Sequence, residues 1–355
     1  MTNDTGNPSL TERSESTERA DGDLRLAFIV GCRRSGTTWT MMLTVQHPEV
    51  VALQQTDVMR RLFHFTTWFS GGHPYGRCAL MRDETPGHDE PKRTQLVDVL
   101  DQQRLYDLAR PLSDEIFRRA ASLNPQAGVV VEQTPEHIDA AAQILRVYPD
   151  AHFIHVVRDP RAVFASHRGA AKGWAKPRFF STNPVDVSSE WLREVARGQA
   201  IEELTPNFLQ VRYESLKQDG QGELARLHRF LGLESTSDER EAALAACSID
   251  RLRGQGHAPT GFFRRGEAEA WRRELSSSEL RTIEILCGPV MEEFGYRRTQ
   301  QAPVAVPMQV RLRRLRERTK RRLRRTAQEG NGLSRRALSG AARLSPSLRR
   351  ILADS

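Results

Sequence analysis

Leu26-Ala27-Phe28-Ile29-Val30-Gly31-Cys32-Arg33-Arg34-Ser35-Gly36-Thr37-Thr38-Trp39 decides the fold of this chain. Leu26 to Val30 is an unbroken apolar run, the pattern of a parallel strand buried on both faces. A glycine-bounded turn follows, and Trp39 to Val45 continues as a helix that His47-Pro48 ends. Strand, tight loop and helix N-terminus together form a phosphate cradle, because unpaired backbone N–H groups and the positive end of the helix dipole converge there. Gly31 and Gly36 keep the G-x-x-x-x-G spacing of a nucleotide-binding loop, yet Thr37 stands where that motif requires lysine. A kinase of this type uses the lysine on its β/γ-phosphates. Here the cation lies inside the loop, at Arg34. The loop suits a phosphate and lacks the group that marks ATP.

Arg34-Ser35-Gly36-Thr37-Thr38-Trp39 resembles the 5′-phosphosulfate loop of sulfotransferases that use 3′-phosphoadenosine 5′-phosphosulfate (PAPS). The resemblance implies that the backbone N–H groups of Ser35, Gly36, Thr37 and Thr38, with both threonine hydroxyls, hold the 5′-phosphate. Arg34 would neutralise charge growing on the oxygen between phosphorus and sulfur. Trp39 would stack on adenine, as its family counterpart does; a core aromatic is the other reading of this residue.

A second segment supports the first. Ala151 to Val157 reads as another central strand, followed by Arg158-Asp159-Pro160-Arg161. Asp159 is a good N-cap and Pro160 a good first helical residue, so a helix is expected to run from there past Ser166. An arginine with a serine eight residues later resembles the family's 3′-phosphate site and implies that Arg158 and Ser166 bind it. A turn held by surface ion pairs is the plainer alternative. Gly261-Phe262-Phe263-Arg264-Arg265-Gly266, with Trp271 downstream, resembles the family's mobile closing loop. That likeness places Phe263, Arg264, Arg265 and Gly266 over the nucleotide, against the alternative of a solvated basic loop. Tyr213, in Val211-Arg212-Tyr213-Glu214-Ser215-Leu216, matches a family tyrosine that lies near the adenosine.

These pieces predict an α/β fold: a three-layer, doubly wound parallel sheet with a P-loop-like phosphosulfate-binding turn, followed by a basic helical C-terminal tail. Strands are expected near 26–30, 128–132, 152–157 and 208–212. Helices are expected near 37–46, 136–147, 160–171, 187–204, 222–231, 238–246 and 276–294. Residues 1–22 are polar and read as disordered, 23–299 as the sulfotransferase domain, and 300–355 as the tail. Acceptor recognition is assigned to the middle stretch between residues 60 and 125, with Phe63, Phe65, Trp68, Phe69 and Gly71-Gly72-His73-Pro74-Tyr75-Gly76, which reads equally as helical packing with a surface loop.

The implied reaction transfers a sulfuryl group from PAPS to a hydroxyl or amine and leaves 3′,5′-bisphosphoadenosine. It needs a base for the acceptor proton and cations on the leaving phosphate. No metal-ligand spacing is present, so no metal is expected. At the base the chain departs from its relatives. After His47-Pro48-Glu49 it reads Gln54-Gln55-Thr56-Asp57 where a catalytic glutamate is usual. Val131-Glu132-Gln133-Thr134-Pro135-Glu136-His137 carries Gln133 in place of the family's lysine. Asp57 ranks first as base, His137 second and Glu132 third; an imidazole titrates in the right range. Two rival functions follow: a sulfotransferase-like protein that binds the nucleotide without transferring sulfate, and a P-loop kinase. Carbohydrate, lipid-linked, tyrosine and small phenolic or antibiotic acceptors all remain open.

Composition frames the rest. The chain has 355 residues and a net charge of +8. Residues 301–355 hold 15 Lys/Arg against 3 Asp/Glu, a net of +12, which leaves −4 on the remainder. The body is therefore mildly acidic and the basic character belongs to the tail. Residues 311–325 carry ten Lys/Arg, with leucines at helical spacing, a pattern that suits an anionic membrane surface or a polyanion; a solvated basic helix is the alternative. Nucleic acid is disfavoured because no aromatic interleaving or reading motif accompanies the charge. A homodimer stays open. The polar N-terminus, the lack of a long apolar run and four cysteines without redox spacing give a cytoplasmic expectation, peripheral at the inner membrane surface if the tail engages it.

Overall fold

The computed structural model of the chain describes residues 24–69, 102–175, 179–254 and 269–299. Five strands form one parallel sheet: β1 (Arg25–Gly31), β2 (Val50–Gln54), β3 (Val129–Gln133), β4 (His152–Val157) and β5 (Phe208–Arg212), in the order β2-β3-β1-β4-β5. Every neighbouring pair runs parallel, with Ile29 opposite Ile154 and Leu53 opposite Glu132. The first strand sits at the centre and the chain winds outward both ways. That puts the strand C-termini of β1 and β4, with the loops that follow them, side by side.

The period-two alternation of β1 builds both faces. Ala27 and Ile29 point into one buried cluster with residues of α1 (Thr37–Thr44), α7 (Tyr213–Gln218), α8 (Gly220–Phe230), α9 (Ser237–Ala246) and α10 (Ile249–Gly254). Phe28 and Val30 point into the other, with α2 (Val58–Phe69), α3 (Gln102–Ser122), α4 (Ala141–Val147) and α6 (Pro184–Glu202). Burying one such large apolar side chain contributes about 1.5–3 kcal/mol. A third cluster joins α5 (Pro160–Lys172), α6, α11 (Trp271–Glu274) and α12 (Ser277–Glu293) through Phe164, Trp191, Trp271 and Met291.

A buried ion network ties that third cluster to the end of β4. The Arg161 guanidinium lies 2.7 Å from Asp159 and 2.6 Å from Glu284, with the Trp271 ring 3.9 Å beneath it. Asp159 also caps α5 by accepting from the Arg161 amide, with Pro160 at the first turn, as the sequence predicts.

The expected strands all form, within one residue at each end. Strand β2 was not foreseen. It is a short edge strand, half-buried along Val51 to Leu53, so its sequence lacks the continuous apolar signature of the central strands. The helix expected over 136–147 is instead a 3₁₀ turn, Pro135–Asp139, followed by α4; the turn lets the His137 ring reach into the core edge-on to Phe28. Helices α2 and α3 occupy much of the stretch read as acceptor recognition, and Phe63 is core. Phe263, Arg264, Arg265 and Gly266, residues 70–101 with Cys78, and both chain ends lie outside the described residues.

Candidate functional site

The turn after β1 is shaped by two glycines with positive φ. Gly31, at φ 148°, lets β1 pass so close to β4 that a Cβ there would stand 2.5 Å from the Val156 carbonyl oxygen. At Gly36, φ is 100°, and the Tyr213 ring fills the space a Cβ would need, 2.4 Å away. Only glycine meets both demands. Gly36 caps α1 without a side-chain acceptor, and no acidic residue occupies the first turn. The helix N-terminus is therefore left for an external anion.

A cleft of about 810 Å³ opens at these strand ends. It gathers Arg34, Gly36, Thr37, Thr38 and Trp39 from the first turn and helix, Arg158 and Ser166 from β4 and α5, Tyr213 from α7, and Asp57 from the corner after β2. The two motifs meet directly. Arg34 Nε donates to Ser166 Oγ at 3.0 Å, and Arg158 donates to the Arg34 carbonyl at 3.2 Å. The Arg34 guanidinium lies 5.5 Å from the Trp174 ring centre and 5.9 Å from that of Phe180, two aromatics the sequence reading did not single out. Arg158 stacks 4.1 Å over Tyr213. Burial and the Glu214 carboxylate push the Tyr213 phenol up, so that it stays neutral.

Two donors in this region have no hydrogen-bond partner. Arg158 Nε and the hydroxyl of fully buried Ser35 are both shielded from solvent and unpaired. Ser35 lies beneath the cleft rather than on its wall. Trp39 lines the cleft and is also core: its indole N–H donates to the Cys247 carbonyl at 2.9 Å, and the Lys217 ammonium sits 4.9 Å over the ring. The core reading of Trp39 is thus a real contact, and its place on the cleft wall leaves one ring face available there.

The three base candidates part company. Asp57 is on the cleft wall, at φ 56°, with Arg60 Nε 2.6 Å and Arg61 Nε 2.9 Å from its carboxylate oxygens. Partial burial alone would raise its pKa, but the hydrogen bonds from Arg60 and Arg61 outweigh it and hold the carboxyl below the ordinary range. The structure does not bring His137 or Glu132 to the cleft: His137 is 0% exposed and Glu132 1% exposed. They face each other in the interior, where His137 Nδ1 approaches Glu132 Oε2 to 2.5 Å without the alignment of a hydrogen bond.

Gln133, at the family's lysine position, is wholly buried and its amide contacts the Thr37 hydroxyl at 3.1 Å. Gln55 stands at φ 50° on the cleft wall. Beside the loop, Arg33 forms an ion pair with Glu190 at 2.9 Å and also bonds the Phe179 carbonyl, bracing the aromatic wall. The arginines at 60 and 61 were missed; their i+3 and i+4 spacing from Asp57 is the signal that would have found them.

Comparison with known proteins follows the same line. The family model described as Sulfotransferase family matches residues 27–238. Mouse "Carbohydrate sulfotransferase 7" is 33% identical over 169 residues, covering 44% of this chain and 34% of that protein. "Omega-hydroxy-beta-dihydromenaquinone-9 sulfotransferase Stf3" of Mycobacterium bovis is 28% identical over 182 residues, covering 49% of this chain and 43% of that protein. The chain thus spans less than half the length of these two relatives. Human "Carbohydrate sulfotransferase 6" is 30% identical over 344 residues, 81% of this chain and 85% of that protein.

Proposed function

The chain belongs to the sulfotransferase family, and from that premise we propose that it transfers a sulfuryl group from PAPS to a hydroxyl or amine of an acceptor. One observation carries the reading. The glycine loop with its open helix end shares one cleft with Arg158 and Ser166, and a buried donor of that lining, Arg158 Nε, lacks a partner. Buried polar groups are nearly always satisfied, so an unpaired donor beside an open helix end fits an anionic ligand.

PAPS would supply the sulfuryl group, and 3′,5′-bisphosphoadenosine would leave as its S–O bond to phosphate breaks and the acceptor oxygen bonds to sulfur. The protein's part is electrostatic and positional. Arg34, with the N–H groups that open α1, offsets negative charge on the departing phosphate. Arg158 and Ser166 hold the 3′-phosphate, and Phe263, Arg264, Arg265 and Gly266 are assigned to the same nucleotide on sequence alone. Asp57 takes the acceptor proton: Arg60 and Arg61 keep it ionised at neutral pH and fix where it points. The names of the relatives favour a hydroxyl on a carbohydrate or a lipid-linked molecule as acceptor. The basic tail is assigned to contact with an anionic membrane surface near such an acceptor.

Isothermal calorimetry with 3′,5′-bisphosphoadenosine tests the core of this. Binding at least tenfold tighter than AMP is expected, since AMP lacks the second phosphate. No heat, or equal affinity for AMP, overturns the nucleotide reading. Binding of the bisphosphate without turnover of ³⁵S-labelled PAPS against a mixed acceptor extract would favour a nucleotide-binding protein without transfer activity.

A further inference from the structure

Gln55 and Asp57 are both non-glycine residues in the left-handed region, with φ of 50° and 56°, two residues apart. Each such conformation costs about 1 kcal/mol or more and persists only where its surroundings impose it. The surroundings here are identifiable. Glu132 Oε1, at the end of β3, accepts two hydrogen bonds: from Thr56 Oγ1 at 2.8 Å and from Thr134 Oγ1 at 2.7 Å. Each hydroxyl, its proton committed to the carboxylate, then accepts a backbone N–H. Thr134 Oγ1 takes the Asp57 amide at 3.1 Å, and Thr56 Oγ1 takes the Val58 amide at 3.2 Å. A further bond runs from the Gln55 amide to the Gln133 carbonyl at 2.8 Å.

We propose that Glu132 is the positioning residue of this corner: through the paired hydroxyls of Thr56 and Thr134 it holds the backbone that presents Asp57 to the cleft. The idea deepens the assignment of Asp57 as base and rests on that reading for its catalytic meaning, though not for its geometry. The direction of every link is fixed by chemistry. Both threonine hydroxyls donate to the Glu132 oxygen, and a backbone N–H only donates, so both accept from the corner. One buried oxygen thereby orders two orphan amides at the start of α2. It also explains why a carboxylate at this strand end is buried instead of facing an acceptor.

The test uses the full chain and four substitutions, read by amide hydrogen exchange at Asp57 and Val58. Glu132→Met keeps the volume and removes the acceptor. Both amides are expected to exchange about tenfold faster, the loss of one hydrogen bond's worth of protection. Glu132→Gln keeps a carbonyl oxygen that accepts from both threonines, and protection is expected to stay within about twofold of the parent. Thr134→Val, isosteric, should release Asp57 alone, and Thr134→Ser should restore it. The Asp57 carboxyl, followed by carbon NMR, should titrate higher in Glu132→Met and Thr134→Val than in the parent, because its clamp slackens. Bisphosphoadenosine affinity should be unchanged in all four. Unaltered exchange in Glu132→Met overturns the proposal. So does equal damage from Glu132→Gln, which would assign the role to charge opposite His137. If the PAPS reading fails, calorimetry shows it in the parent protein while the exchange data still decide the corner.

Discussion

Asp57 is held as a carboxylate by two arginines one helical turn away, and the consequence for activity has a definite sign. Its pKa lies below the usual value of about 3.9, so the proton-accepting form persists across the neutral range and is lost only as pH falls through that lowered midpoint. The acid limb of kcat/KM from this group should therefore fall below about pH 4. Asp57→Asn should lower kcat by about 10²–10⁴-fold while leaving bisphosphoadenosine affinity within a few-fold, measured by ³⁵S transfer into a mixed acceptor extract and by calorimetry. Full activity in that variant would remove Asp57 from the chemistry. At this scale the sequence was most readable where function is local. Gly36, Thr37, Thr38 and Arg158 stand in short motifs, and the structure lines one cleft with them. Glu132 was readable only as an acid near a strand end. Its partners Thr56 and Thr134 meet through the pairing of β2 with β3, where Gln54 lies opposite Gln133, a register that no local pattern encodes.

Among the elements, the turn from β4 into α5 bears most strain if disturbed. Arg161 is the buried counter-charge of both Asp159 and Glu284 and stacks on Trp271. Arg161→Leu would take the buried counter-charge from two interior carboxylates, although Asp159 keeps the backbone amide at 161 and Glu284 the bonds from Thr299. The expected loss is about 3–5 kcal/mol in urea denaturation, with an acid-shifted stability optimum, because protonation of the stranded carboxylates then relieves the penalty. A loss under about 1 kcal/mol would mean that solvent reaches the pair. The capping signal Asp159-Pro160 made the start of α5 legible, whereas Asn183-Pro184 and the capping boxes of Thr236 with Glu239 and Ser276 with Glu279 begin α6, α9 and α12 and went unread. Strand β2 and helices α2 and α3 were not read from the sequence. They lie toward one side of the sheet: β2 is a short, half-buried edge strand, and Pro111 inside α3 reads as a helix breaker.

Over the whole molecule, charge is partitioned: net −4 on the first 300 residues and +12 on the last 55. Full-length protein should co-sediment with liposomes containing about a third phosphatidylserine at low salt, release as ionic strength rises, and lose binding on deletion of residues 308–355. Sedimentation that is unchanged by the deletion would refute a membrane role for the tail. The order of the sheet also sets a schedule. The glycine loop belongs to the first strand, yet the wall against Gly36 is Tyr213, which follows the last one. During synthesis on the ribosome the phosphate cradle thus waits, unfinished, for β5 to emerge and dock. A nascent chain stalled before Phe208 carries the complete motif without the surface that moulds it, and a bisphosphate offered to it should find no grip.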